Sequence, residues 1–480
     1  MMNIEKLSYE HAGRGEQLRE VPNRKRFVEI LSLIAICLGY FMVILDTTVV
    51  TVALPTIQHQ LRATVTELQW VVDGYTLVFA SLLLSAGALG DRLGNKRVFL
   101  VGLVLFTGAS AVCGLAPTMG VLQVARVVQG AGAALQVPAS LALLNHTFSD
   151  PHERDRAIGL WGGIAGVAAA GGPIIGGLLV TTLTWRSVFF LNIPIGIVAF
   201  LLTLRFVPNV EGHRQRGLDL SAQGAAVVGL ALLTLAFIQS SAWGWTSFPI
   251  LGSLAGFVVA AGFFLAIERR VSSPMLPLSL FRSRTFSAAN IVGLLLNFGF
   301  YGELFFMALF FQNIRGYSAL ITGLALLPQM GIVAFSATLS GRITGRIGPR
   351  VPMMVGLVIG GTGFLLMMLV NATISYPLII LMLMAIGFGM AFTMPAMTTA
   401  VISSASKDRS GIASGVVNAS RQVGGTLGVA VLGSLVSQRA TFILGMHIAL
   451  AIAGGAFLFG FLLTLLFVHR KRTQASSQSS

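Results

Sequence analysis

Charge is what this chain has least of. Its 32 Lys and Arg and 17 Asp and Glu make up 10% of 480 residues, where a soluble domain carries about 25%. So few charges cannot coat a soluble fold of this length, which excludes an ordinary cytosolic enzyme and a disordered chain. Cysteine is also scarce. Cys37 and Cys113 each lie within an apolar run, which excludes a disulfide scaffold and reads as two small packed residues. The seven His are scattered, with no HExxH or paired-His spacing, so no metal site is expected. No G-x-x-x-x-G-K-[ST] occurs, so no P-loop supplies ATP energy. GAGAAL, Gly130 to Leu135, lies inside an apolar run with no strand before it and reads as helix packing.

What the chain has is long apolar runs, 55% of its residues being hydrophobic. A run of about 20 such residues spans a bilayer as a helix. Fourteen candidates follow one another: 27–54, 68–89, 98–116, 119–144, 157–182, 188–206, 222–238, 250–267, 286–311, 320–339, 351–370, 376–402, 412–436 and 442–468. The connectors are short and leave no room for a sizeable soluble domain. The first run is too long for a signal-peptide core and contains Asp46, so it is retained.

The net charge of +15 would suggest nucleic acid in a soluble protein. Here the bases alternate with the spans. With the N-terminus placed inside, the inner segments hold 26 Lys and Arg, the outer ones 4, and Arg126 and Arg421 lie within spans. That asymmetry fits an even number of spans with both ends cytoplasmic, and it accounts for the basic balance without a nucleic-acid partner. The excess of Arg over Lys, 27 against 5, points to a high-GC bacterium.

The chain also repeats itself. GALGDRLGNKR (Gly87 to Arg97) is echoed by GRITGRIGPR (Gly341 to Arg350) at an offset of 254, with Gly345 where Asp91 stands. Asp155-Arg156 and Gly171-Gly172 are echoed at 253 by Asp408-Arg409 and Gly424-Gly425. A duplicated six-span unit with two central spans inserted is the expectation, an architecture typical of secondary transporters. The layout is a tail at 1–26, a six-helix bundle at 27–206, an insert at 207–285, a second bundle at 286–468 and a tail at 469–480.

Five segments resemble the major facilitator superfamily, in its 14-span drug/proton antiporter branch. They are LDTTVVTVALP (Leu45 to Pro55), GALGDRLGNKR, RVVQGAGAA (Arg126 to Ala134), GGPIIGG (Gly171 to Gly177) and WRSVFFLNIPIG (Trp185 to Gly196). The resemblance implies an all-α polytopic membrane protein of the major facilitator fold. Two six-helix bundles plus two central helices make fourteen transmembrane helices. It implies a proton-coupled antiporter in a bacterial plasma membrane that exports amphiphilic, cationic drugs or antibiotics. It further implies a monomer in the lipid bilayer, not an enzyme, using protons and no cofactor. A narrow exporter of one antibiotic stays open as an alternative, and an uptake symporter fits less well.

Three acids lie well within spans, Asp46, Asp73 and Glu303. Burial disfavours a carboxyl's charged form, which suits proton pickup, and intramembrane acids are functional by default. Asp46 and Arg126 lie about 12 Å and about 10 Å from the outer ends of their spans, so they can meet. The resemblance assigns them to proton coupling, and assigns Gly87, Asp91, Arg92, Gly94 and Lys96 to a cytoplasmic gate. There Asp91 would latch onto the start of span thirteen, near Lys407 and Arg409. It assigns Gly172, Pro173, Gly176 and Gly177 to an antiporter hinge. Tyr40, Trp70, Tyr75, Trp161, Asn297, Tyr301, Phe305 and Arg421 are candidates for the substrate cavity between the halves; aromatics beside acids suit lipophilic cations.

Overall fold

The computed structural model describes residues 5–148, 150–209, 220–271, 276–405 and 410–468. Regular structure among them is helical throughout. The helices are α1 (Glu5–Leu61), α2 (Val65–Leu93), α3 (Asn95–Leu115), α4 (Met119–Thr147), α5 (Pro151–Thr182) and α6 (Ser187–Phe206). There follow α7 (Leu220–Trp243), α8 (Phe248–Arg270) and α9 (Arg284–Ile314), which closes on a π turn. The last are α10 (Ala319–Ile347), α11 (Arg350–Met367), α12 (Tyr376–Ser404), α13 (Ser410–Leu435) and α14 (Phe442–Phe467).

Local chemistry marks the boundaries. Thr64 and Glu67 form a capping box at the start of α2. Asp150 accepts from the His152 and Glu153 amides ahead of α5, with Pro151 in its first turn. Both arrangements satisfy amides that a helix start leaves free. Gly94 ends α2 with φ 93° and Gly348 ends α10 with φ 85°. These equivalent positions of the repeat need a backbone conformation that side chains disfavour.

Twelve of the described helices are individually long and apolar enough to cross a bilayer, and α2 makes a thirteenth if its two segments count as one. Those segments meet at a bend of 54° between Leu83 and Ser85. The expectation of fourteen spans is therefore not confirmed: twelve, or at most thirteen, of the described helices qualify. The shortfall is α13, whose Ser, Gly, Asn and Arg residues dilute it.

Helices α1–α6 and α9–α14 form two bundles. They meet where α5 packs on α10 and α2 on α13. Several hydrogen bonds join them toward the end carrying the α1–α2 connector. Gln69 donates to the Val429 and Ala430 carbonyls at 3.0 and 3.1 Å. Gln312 donates to the Val52 carbonyl at 2.9 Å, and Asn313 to Gln58 at 3.0 Å. The Leu320 amide donates to Thr181 at 3.2 Å, and the Thr426 hydroxyl to Thr76 at 3.1 Å. The core follows the same division. Val49–Ile57, Leu68 and Val71 of the first half join the apolar core of the second, whereas Ala35–Val43, Phe79, Phe99 and Leu143 belong to a separate cluster. At the other end the halves part, and a Cβ added at Gly159, Gly162, Gly163, Gly331 or Gly345 would meet nothing.

The inserted pair α7–α8 packs through α7 along the α2–α13 seam. Gln223 of α7 donates to the Ser81 carbonyl at 2.6 Å, and the Ser85 hydroxyl donates to Gln223. These bonds anchor the insert at the bend of α2, a point where a helix's own ladder is weakened.

Candidate functional site

The first half encloses a polar cluster that sequence depth had placed only in part. Arg126 of α4 is 1% exposed and ion-paired with Asp46 of α1. Its Nε donates to the Val71 carbonyl at 2.9 Å, and its Nη1 to Gln129 Oε1 at 2.8 Å. Gln129 and Asn192 donate to the other Asp46 oxygen at 2.9 and 3.1 Å. Both also reach the Ser110 hydroxyl, at 2.8 and 3.3 Å. The guanidinium lies 4.3 Å over the Tyr75 ring. Every oxygen of Asp46 is satisfied, which a buried ion pair requires if it is to repay its desolvation. Gln129, Ser110 and Asn192 were not singled out from sequence. The available signal was a polar side chain inside an apolar run.

Asp73 is placed differently. Gln69, Asp73, Thr76, Leu77 and Ala80 recur at the spacing of one helix face. Gln69 and Thr76 bond α13, while Leu77 and Ala80 line a small cavity with Val423 and Thr426 of α13 and Thr234 of α7. Asp73 therefore belongs to the face that closes the seam. It is fully buried, and both carboxylate oxygens lack a hydrogen-bond partner. The neighbouring Thr76 hydroxyl donates to backbone carbonyls, and it is also near enough to act on that carboxyl. An ionised carboxylate held without a partner in an apolar interior is costly.

The second half has one buried acid and one buried base, and they do not meet. Glu303 of α9 accepts from Gln329 of α10 at 2.7 Å through Oε2, while Oε1 is buried without a partner. Arg421 of α13 is half-buried. It donates weakly to Asn418 at 3.4 Å, and its Nε is buried with no acceptor. Its stem rests on Gly293 of α9.

The proposed hinge forms two contacts. A Cβ on Gly172 or Gly176 would strike Thr48 or Val49 of α1 at 2.0 and 2.8 Å. On the opposite side, the Pro173 carbonyl lies 2.1 Å from where Gly323 would carry a Cβ, and Gly177 would clash with the Ala319 carbonyl at 2.7 Å. This stretch of α5 is thus the surface on which the two halves touch. In the α2–α3 connector, Asp91 and Arg92 are exposed and Gly87 approaches Pro138 of α4. Gly94 supplies the positive φ. Lys96 donates to the Leu204 carbonyl near the end of α6 at 3.0 Å, and its repeat partner Arg350 does the same to Leu465 of α14 at 2.6 Å. Lys407 and Arg409, the expected surroundings of Asp91, lie outside the described residues.

The cavity candidates divide. Tyr40 stacks on Trp161 with centroids 3.9 Å apart, and the indole donates to Ser140 at 3.1 Å. Tyr40 and Tyr301 come from opposite halves, and both stand within electrostatic range of Arg421. Tyr40, Trp161 and Tyr301 are all half-buried. Trp70 is half-buried on α2. Tyr75 and Phe305 are corrected: both are fully enclosed, Tyr75 beneath Arg126 and Phe305 against the α13 backbone near Gly433. Asn297 is 2% exposed and bonds its own helix at Gly293, so it too lies off the seam. Sequence could not tell these apart because aromatics fill cores and line cavities alike. Among the described residues, no group of three or more His, Cys, Asp or Glu could hold a metal.

Comparison with known proteins agrees with this architecture. The family model described as Major Facilitator Superfamily matches residues 36–429. The methylenomycin A resistance protein of Streptomyces coelicolor is 37% identical over 448 residues, covering 93% of this chain and 94% of that protein. The multidrug resistance protein Stp of Mycobacterium tuberculosis is 40% identical over 424 residues, covering 88% and 79%. The tetracenomycin C resistance and export protein of Streptomyces glaucescens is 37% identical over 409 residues, covering 85% and 76%. Among solved structures, a bacterial homolog of the human lysosomal transporter Spinster superposes with a TM-score of 0.64 at 18% identity. That match covers 92% of this chain and 98% of the other, and it shows the shared fold.

Proposed function

The chain belongs to the major facilitator superfamily, and on that premise we propose that it is a proton-coupled antiporter exporting amphiphilic drugs or antibiotics across the bacterial plasma membrane. Its relatives are named for resistance and export. The basic bias of alternate connectors supports both termini in the cytoplasm. In that orientation the closed end of the seam faces outward and the parted end inward. We count α13 as the fourteenth span, because it packs along both α9 and α2.

The observation that carries proton coupling is Asp73. It is a buried carboxyl without a partner, on the α2 face that seals the outer end of the seam. Rocking the halves to open outward would part α2 from α13 and bring water to that carboxyl. Proton uptake there would accompany resealing, so one charge would be carried inward as substrate leaves. One charge crossing 100 mV is worth about 2.3 kcal/mol, enough to drive substantial accumulation. Asp46, with its pairing already complete, serves in this reading as the rigid neighbour. Glu303 is a second proton site, held to Gln329. The hinge glycines allow the close approach of α5 and α10, and Asp91 latches the inner side once the halves rock.

A broad and a narrow substrate range both remain open, since relatives carry names of either kind. A resistance panel in an efflux-deficient bacterium separates them. Coupling is tested in proteoliposomes under an imposed pH gradient. Wild type is expected to drive a fluorescent amphiphile against its gradient until an ionophore collapses the proton gradient. Asp73→Asn is expected to retain substrate exchange and lose uphill transport. Full uphill transport by Asp73→Asn would overturn the assignment.

A further inference from the structure

The charge of the substrate can be read from which ionisable groups the seam leaves accessible. The intramembrane acids predict a cationic cargo. Yet Asp46, Asp73 and Glu303 are each 0% exposed, and Asp46 is already bound to Arg126. A cation approaching from the parted end meets none of them. It meets Arg421, half-buried near the middle of α13. No carboxylate pairs with this guanidinium among the described residues, its one acceptor is Asn418 at 3.4 Å, and its Nε has no acceptor at all. Of the five donors a guanidinium presents, the buried Nε–H is left unsatisfied. Tyr40 and Tyr301, one from each half, are near enough to interact with it electrostatically. Tyr40 stacks on Trp161, which gives the first half a flat aromatic pair.

We propose that Arg421 is the head-group subsite of the substrate cavity, and that it takes a carboxylate or a comparably acidic oxygen acid on an aromatic or polycyclic skeleton. This rests on reading the parted seam as the substrate path. The planar guanidinium offers paired N–H donors matched to the two oxygens of a carboxylate. Asn418, one turn away on α13, already accepts from Arg421, and its amide nitrogen goes to Ser414 at 3.1 Å; it holds the guanidinium in place without neutralising it. The aromatic skeleton lies on the Tyr40–Trp161 face. The site therefore selects anionic amphiphiles and discriminates against cationic ones, in which the same ring system would carry its charge against Arg421.

The test uses one ring system with two charges, anthracene-9-carboxylate and anthracen-9-ylmethylammonium. Each is titrated by fluorescence into full-length protein in lipid nanodiscs, with empty discs subtracted. Wild type is expected to bind the carboxylate about tenfold or more tightly than the ammonium, as a charge-assisted bidentate pair implies. Arg421→Gln is expected to lose that preference and leave ammonium binding unchanged or tighter, while Arg421→Lys keeps part of it. Trp161→Ala should weaken both probes alike. Retained thermal unfolding and size-exclusion profiles show that the variants are folded. Equal binding of the two probes, a preference for the ammonium, no binding of either by wild type, or undiminished carboxylate binding by Arg421→Gln each overturns the subsite. The readout needs no gradient. Loss of uphill flux in proteoliposomes with carboxylate binding intact would overturn the exporter and leave the subsite standing.

Discussion

The two halves of this molecule share a chain plan and part company over charge. Each ends its second helix on a glycine with positive φ, Gly94 and Gly348. Each ties the following connector to its sixth helix through a base, Lys96 to Leu204 and Arg350 to Leu465. Inside, they differ. The first half brings Asp46, Arg126, Gln129 and Asn192 from α1, α4 and α6 into one satisfied cluster. The second half keeps Glu303 and Arg421 apart and leaves both under-bonded. A neutralised charge stiffens a bundle, whereas an unneutralised one is available to a proton or a ligand. The difference suggests a division of labour, with a rigid first half and a responsive second half meeting at the α2 face that bears Asp73.

The strongest way to break this comparison is to give the first half an unpaired charge. Arg126→Leu should cost about 3–5 kcal/mol, because it strands Asp46 in the interior. Thermal unfolding in detergent should show the loss, and Asp46→Asn added to Arg126→Leu should recover most of it. Equal destabilisation by Arg421→Leu would erase the contrast, since Arg421 has no carboxylate to strand among the described residues.

The seam between the halves comes next. Gly323→Ala places a Cβ on the Pro173 carbonyl and should cost about 1–3 kcal/mol as overpacking, spent on opening the outer end. Cross-linking between cysteines introduced at Thr181 and Leu320 should fall relative to the parent pair. An unchanged yield would mean that α5 and α10 have slack there.

Asp73→Asn acts on the coupling and not on the scaffold. Uphill transport should fall about tenfold or more, equivalent to at least ~1.4 kcal/mol, while the unfolding temperature stays level or rises. A drop in stability instead would mean that Asp73 has a partner in another state of the cycle.

The smallest effect sharpens the similarity. Lys96→Ala and Arg350→Ala each remove a base from carbonyls near a helix C-terminus, worth about 0.3–1 kcal/mol. The two losses in thermal stability should match. A clear inequality would show that the repeat is not mechanically equivalent at its connectors.

Much of this was legible along the chain. The apolar runs located the helices, although α1 begins at Glu5, well before its apolar run at 27, and the echo of GALGDRLGNKR at offset 254 predicted two similar bundles. Depth within the spans predicted that Arg126 and Asp46 could meet. The aromatic candidates were read less well. Tyr75 and Phe305 vanish into the core, while Tyr40, Trp161 and Tyr301 stay half-buried. Nothing local separates these groups, because a helix face becomes cavity or core only when its neighbours are in place. Gly177 and Gly323 likewise read as ordinary packing glycines until α5 and α10 are seen to cross there.

The sequence by itself determined that this is a helical membrane protein, where its spans lie, which connectors carry the bases, and that its plan is duplicated. Those properties depend on hydropathy and spacing within single segments. Only the tertiary structure decided that Asp46 is neutralised, that Asp73 is buried in the seam, and that Arg421 stands without an acid among the described residues. The state of a charge in a low-dielectric interior is set by groups arriving from other helices, and no stretch of sequence contains them.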